Sequence, residues 1–96
     1  MIDHRYDHPG KVYVDVYARH LKEGRRVCGR VMYVEPVAFV WEDGARYKIE
    51  SVTDMRRAAS LKAGGVGMRY TVTVRGKETY MFLEEDRWFM ERALPQ

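Results

Sequence analysis

Apolar and polar side chains alternate along much of the chain, and the alternation has a period of two residues. In the segment 11–19, three valines share one face of an extended chain, and tyrosines and charged residues occupy the other. A period of two predicts a β-strand with one buried face. The pattern resumes at 26–34 after a predicted turn at 21–24, and Pro36 is expected to end this second strand.

A hairpin is predicted for 37–42 and 45–51, joined by a Glu-Asp-Gly turn. A two-residue turn would pair Phe39 with Lys48, whereas a three-residue loop with a left-handed glycine pairs Phe39 with Tyr47. The second register gathers the large apolar residues of both strands on one face. Because a slip of one residue scatters them, the hydrophobic pattern favours the three-residue loop.

The clearest hairpin is predicted for 68–75 and 78–84, on either side of a Gly-Lys turn of type II′. In this register Arg69 faces Glu84, and opposite charges across strands are favourable. A further turn leads to a last strand at 87–92, which is expected to place apolar residues opposite those of the preceding strand.

The segment between these two hairpins is the longest stretch without a regular pattern. It begins at Thr53 and ends in three glycines up to Gly67. A capping residue at 53 or 54 allows at most one short helical turn near 54–61. The glycines are then expected to form an irregular connector.

These elements predict an all-β fold of about six to seven short strands. A single open sheet would leave Tyr80, Phe82 and Phe89 in water, so we expect a small barrel or a strongly bent, SH3-like antiparallel sheet. Residues 1–10 are expected to form a flexible arm and 11–93 a single domain.

Length and composition restrict the class of protein. A chain of 96 residues with 46% apolar residues is expected to form one globular domain. Because no apolar run of membrane-spanning length and no signal peptide is present, we expect a cytoplasmic protein. The single cysteine, Cys28, excludes an internal disulfide and is expected to be a small buried side chain.

Several sequence patterns that form metal or cofactor sites in other proteins are incomplete in this chain. His4 and His8 lie in the polar arm beside Pro9, which argues against a helical metal site, so no metal is predicted. The stretch 62–67 is rich in glycine, but it matches neither a phosphate-binding P-loop nor a dinucleotide fingerprint. Cofactors and catalytic residues are therefore not predicted, and an enzyme that uses the glycine-rich loop is the weakest interpretation.

Charge and aromatic residues give the best candidate site. The formal net charge is +3 and the isoelectric point about 9.1, but residues 56–77 contain six basic residues and no acidic residue. Proteins that bind single strands combine a positive groove with aromatic rings on which bases stack. The predicted nucleic-acid contacts are Arg56, Arg57, Lys62 and Arg69 for phosphate, and Tyr80, Phe82 and Phe89 for stacking.

The order of the hairpins also resembles a known group. A tryptophan hairpin over 39–49, then Arg69-Tyr70-Thr71-Val72, then a final Arg87-Trp88-Phe89-Met90 strand, resembles short uncharacterised bacterial β-rich proteins that carry a domain of unknown function. The resemblance covers about 37–92. Some of these proteins are linked with DNA-repair polymerases, which implies a role with nucleic acid or within a repair complex and assigns no catalytic residue.

The sequence thus predicts a small non-enzymatic binding module. Its expected partner is single-stranded DNA or RNA, bound through the basic loop and the aromatic sheet face. The alternative is a protein-interaction or homodimeric adaptor that uses the same aromatic face.

Overall fold

Eight antiparallel strands form the protein, in a computed structural model that describes residues 10–60 and 66–92. The strands are β1 (Lys11–Tyr13), β2 (Asp15–Val27), β3 (Arg30–Val40), β4 (Arg46–Lys48), β5 (Ser51–Ala59), β6 (Val66–Val74), β7 (Lys77–Glu84) and β8 (Arg87–Glu91). One sheet has the order β1-β8-β7-β6-β5 and the other β2-β3-β4. The all-β class is confirmed, but the described strands form two sheets and not a closed barrel.

The chain passes from one sheet to the other twice, and its described strands are divided between these two sheets. Val14 separates β1 from β2, and residues 49–50 separate β4 from β5. Within the described ranges, no helix is long and apolar enough to cross a membrane. The predicted arm lies outside the described residues except for Gly10, whose carbonyl accepts a hydrogen bond from the Arg92 amide at 2.8 Å.

The inner faces of the two sheets pack into one apolar core. Val72 and Met81 of the five-stranded sheet and Met32 of the three-stranded sheet are completely buried in it. Tyr70 also joins the sheets, because its hydroxyl donates a hydrogen bond to the Val34 carbonyl at 3.0 Å. Burial raises the pKa of Tyr70 above its ordinary value of 10.0.

The first hairpin is longer than the sequence predicts. β2 continues through the expected turn at 21–24, which is an irregularity between the paired residues His20 and Arg25. The reversal occurs at Cys28 and Gly29, with φ angles of 46° and 80°. Positive φ at both central positions is typical of the type I′ turn that matches strand twist. Cys28 is consequently exposed on the turn and not buried as predicted.

The tryptophan hairpin has the predicted register. Phe39 pairs with Tyr47, and their rings stack with centroids 5.3 Å apart. Gly44 adopts a φ of 88°, and the Trp41 amide donates to the Ala45 carbonyl at 2.8 Å. The three-residue loop with a left-handed glycine is therefore confirmed.

The segment predicted to be a helical turn is instead the edge strand β5. Residues 51–59 pair with β6 along their length, with one irregularity between Val52 and Asp54. Met55 faces the core, where it is buried opposite Tyr70. Pairing with the next strand of the chain, β6, outweighs the weak β-propensity of the local sequence.

The β6–β7 turn lies one residue earlier than predicted. Arg75 and Gly76 occupy its centre with φ angles of 52° and 80°, so the turn has the positive φ values of type I′ and not type II′. Arg69 consequently faces Phe82 and not Glu84. The β7–β8 register matches the prediction, with Phe82 opposite Phe89.

Candidate nucleic-acid interface

The outer face of the five-stranded sheet, which points away from the core, brings aromatic and basic side chains together. Strand alternation and the observed register define this outer face by Lys11, Tyr13, Arg56, Arg69, Tyr80, Phe82, Arg87 and Phe89. Five of these residues, Arg56, Arg69, Tyr80, Phe82 and Phe89, belong to the predicted set, and they come from four strands. Lys11 and Tyr13 join them because β1 pairs with β8.

Phe82 and Phe89 form a buried pair below the surface of the outer face. Their rings stack at 5.0 Å with an interplanar angle of 5°, and their exposed fractions are 1% and 0%. The Lys11 ammonium lies 4.4 Å from the centre of the Phe89 ring. The edge-on contacts of Tyr13 with Phe89 at 6.2 Å and of Tyr80 with Phe82 at 6.4 Å complete the cluster. A base can reach neither phenylalanine while this arrangement holds.

Two tyrosines on the outer face remain accessible, and each carries an arginine over its ring. Tyr13 is 39% exposed and Tyr80 is 41% exposed. The Arg87 guanidinium lies 3.7 Å from the Tyr13 ring centre, and the Arg69 guanidinium lies 4.3 Å from that of Tyr80. Neither guanidinium has an ion pair within 10–60 and 66–92. Stacked cations of this kind present both charge and a planar surface.

The other predicted basic residues are not brought to one place. Arg56 lies on the outer face, but its Nε donates to Asp54 at 2.8 Å, and this hydrogen bond holds the pKa of that carboxyl below its usual value. Arg57 is the next residue on the strand, so it points to the opposite side of the sheet. Lys62 lies outside the described residues.

Acidic side chains balance part of the charge on this side of the sheet. The Lys11 ammonium lies 3.6 Å from a carboxylate oxygen of Glu84. Glu91 lies opposite Lys11, and its carboxylate accepts a hydrogen bond from the Ser60 hydroxyl at 2.7 Å. The outer face therefore attracts anions through Arg69 and Arg87 more than through net charge.

A second basic surface was not predicted from the sequence. Residues 19–35 of the β2–β3 hairpin contain five arginines and lysines and two glutamates, a net charge of +3 that equals that of the whole chain. Tyr33 on this hairpin is 56% exposed. The sequence signal for the β2–β3 turn was the Cys28-Gly29 pair, which has arginines on both sides. The turn expected at 21–24 divided this basic segment between two predicted elements, so the segment was not recognised as one surface.

Neither a metal centre nor a known relative identifies the site. The described ranges contain no group of three or more histidine, cysteine, aspartate or glutamate side chains able to hold a metal ion. The chain matches no family model, no curated protein and no solved structure. The resemblance to bacterial β-rich proteins thus stays a prediction, and the case for function depends on geometry.

Proposed function

We propose that the protein is a non-enzymatic module that binds single-stranded nucleic acid on the outer face of its five-stranded sheet. The observation that supports this proposal is the pair of half-exposed tyrosines, Tyr13 and Tyr80, each layered with an arginine that makes no ion pair within 10–60 and 66–92. Bases stack on such rings without sequence preference, and guanidinium groups contact phosphates.

The buried phenylalanines have a different role in this proposal from the one predicted. Phe82 and Phe89 support the surface from below and do not stack with bases themselves. Their ring contacts with Tyr80 and Tyr13 hold the two tyrosines in place. A preorganised platform loses less side-chain entropy when a ligand binds.

Fluorescence anisotropy with a labelled, mixed-sequence single-stranded DNA and its RNA counterpart tests this function. We expect micromolar binding, and Tyr80→Ala should weaken it about 5- to 100-fold, the range for loss of one base-stacking ring. Tyr17→Ala is the matched control. Tyr17 is also exposed and also carries an arginine, Arg46 at 5.0 Å, but it lies on the three-stranded sheet.

Two results would reject the proposal. One is the absence of binding at low salt by the folded wild-type protein. The other is an equal loss of affinity in Tyr80→Ala and Tyr17→Ala, which would show that binding does not depend on the outer face.

A protein partner or a second copy of this chain is the second candidate for the same face. The ion pairs of Lys11 with Glu84 and of Arg56 with Asp54 favour it, because balanced charge suits a protein surface better than a polyanion. Analytical ultracentrifugation distinguishes the two candidates. A dimer that Tyr80→Ala dissociates, together with no nucleic-acid binding, would support this second candidate.

For either function we propose a reducing, cytoplasmic location, in which the exposed thiol of Cys28 stays free.

A further inference from the structure

A cleft of about 450 Å³ opens where the two sheets meet, away from the outer face. Residues of β2, β3 and β5 and of the segment 48–50 line it, and three of the lining side chains are basic: Arg19, Arg25 and Lys48. This volume is within the range of pockets that hold small ligands.

A buried carboxylate fixes two of these cations at the cleft. Glu35 is only 7% exposed, and its Oε1 accepts a hydrogen bond from Arg19 Nε at 3.0 Å. Its Oε2 accepts a hydrogen bond from Arg25 Nη2. The side chains of the two arginines are nevertheless 64% and 52% exposed. Each guanidinium has five N–H donors, so each keeps donors for a ligand after binding Glu35.

The third cation has no carboxylate partner in the part of the chain that the structure describes. Lys48 lines the cleft, and its ammonium makes no ion pair within the described ranges. The other acidic residue of the cleft, Glu50, accepts a hydrogen bond from the Gly76 amide at 3.2 Å with its Oε1. The cleft therefore contains three cations and two carboxylates, and both carboxylates are already hydrogen-bonded within the protein.

We propose that this cleft is a binding site for a phosphate group. Two arginines that a buried carboxylate holds at the cleft, with a lysine beside them, offer several charged N–H donors to the oxygens of a phosphate. The phosphate belongs either to a free nucleotide or to the end of a nucleic-acid chain. The site uses no residue of the outer face, so it does not depend on the function proposed above.

Isothermal titration calorimetry with adenosine 5′-monophosphate, and with adenosine as the ligand that lacks phosphate, tests the proposal on the full chain. We expect the monophosphate to bind and adenosine not to bind. Lys48→Gln should weaken monophosphate binding about tenfold, the effect of losing one charge-assisted hydrogen bond. Because Lys48 has no ion pair to break among the described residues, this variant is expected to fold normally.

Arg46→Gln is the matched control. It lies two residues earlier on the same strand, removes the same charge and stacks on Tyr17 outside the cleft. Unchanged binding in this control and weakened binding in Lys48→Gln would support the site. Equal losses in both variants, equal binding of adenosine, or no binding of the monophosphate at millimolar concentration would overturn it.

Oligonucleotides with and without a 5′-phosphate distinguish the two sources of the phosphate. If the chain end is the ligand, a 5′-phosphate should strengthen binding to wild type and have no effect on Lys48→Gln. If a free nucleotide is the ligand, the monophosphate should bind and the 5′-phosphate should change nothing. Tyr80 does not line the cleft, so the Tyr80→Ala variant should still bind the monophosphate. Measuring monophosphate binding by this variant therefore tests the cleft independently of the outer face.

Discussion

Tyr70 shows how one side chain can connect the two sheets. Its ring is buried in the core beside Trp88, with centroids 5.2 Å apart, and its hydroxyl reaches a carbonyl of β3. A buried hydroxyl without a hydrogen-bond partner destabilises the folded state. The Val34 carbonyl accepts the hydrogen bond of the Tyr70 hydroxyl and so removes this cost. From the sequence alone, Tyr70 was simply one more apolar residue of a hairpin.

Removal of this hydroxyl should change both stability and its dependence on pH. Tyr70→Phe is expected to lower the free energy of unfolding by about 1 kcal/mol, because the Val34 carbonyl loses its donor. Burial raises the Tyr70 pKa, so the folded state holds this proton more tightly than the unfolded chain does. The resulting stabilisation is complete below the unfolded pKa of 10.0 and is lost as pH rises through the higher folded pKa.

Urea unfolding between pH 8 and the highest pH at which the protein still folds measures this effect. The Tyr70→Phe variant should lose less stability above about pH 10 than wild type does. Tyr80→Phe, at an exposed position, is the control and should follow wild type. An identical alkaline loss in wild type and Tyr70→Phe would contradict the assignment.

At the scale of elements, the success of prediction depended on what each register does to the side-chain pattern. The 37–51 hairpin could be predicted because its two alternatives place Phe39, Trp41 and Tyr47 on different faces. The register of the β6–β7 hairpin could not be predicted. In the predicted register, each residue of β6 faces the residue of β7 two positions later than its observed partner. Such a shift keeps every side chain on its face, so the hydrophobic pattern does not distinguish the two.

The β6–β7 turn can be tested by a substitution that separates these two registers. Arg75 has a φ of 52°, a region that costs most side chains about 1 kcal/mol or more and that asparagine tolerates better. Arg75→Asn is therefore expected to raise the free energy of unfolding by about 0.5–1 kcal/mol. Lys77→Asn, just beyond the turn, should not stabilise the protein. The opposite order of these two variants in urea unfolding would favour the type II′ turn.

β5 is an element that its local sequence does not predict. Its residues 56–59 are two arginines and two alanines, which favour no strand by themselves. The strand exists because β6 offers a partner with which eight residue pairs form. Side-chain alternation along this strand then sends Arg56 and Arg57 to opposite sides of the sheet, although the two residues are adjacent in the sequence.

At the scale of the whole molecule, the candidate site was only partly predictable. The outer-face positions of Tyr80, Phe82 and Phe89 follow from alternation and were predicted. The burial of the two phenylalanines was not, because Lys11 and Tyr13 come from β1, far away in sequence. The location of net charge on the β2–β3 hairpin was not predictable, because the turn expected at 21–24 forms instead at Cys28 and Gly29.

The distribution of charge predicts a shallow salt dependence for nucleic-acid binding. The outer face offers two arginines, Arg69 and Arg87, that have no ion pair in the described ranges. With about 0.7 for each neutralised phosphate of a single strand, the slope of log K against log salt should be about −1.4. Anisotropy titrations at several salt concentrations measure this slope. A value near −3 or steeper would mean that the basic hairpin also binds the strand.

The most direct test of the central claim is an NMR titration of the labelled protein with a mixed-sequence single-stranded oligonucleotide. Backbone and side-chain shifts should change at Tyr13, Arg69, Tyr80 and Arg87, and the inner faces of both sheets should stay unperturbed. Shifts confined to residues 19–35 of the hairpin, or no shifts at saturating oligonucleotide, would contradict the assignment of the outer face as the nucleic-acid interface.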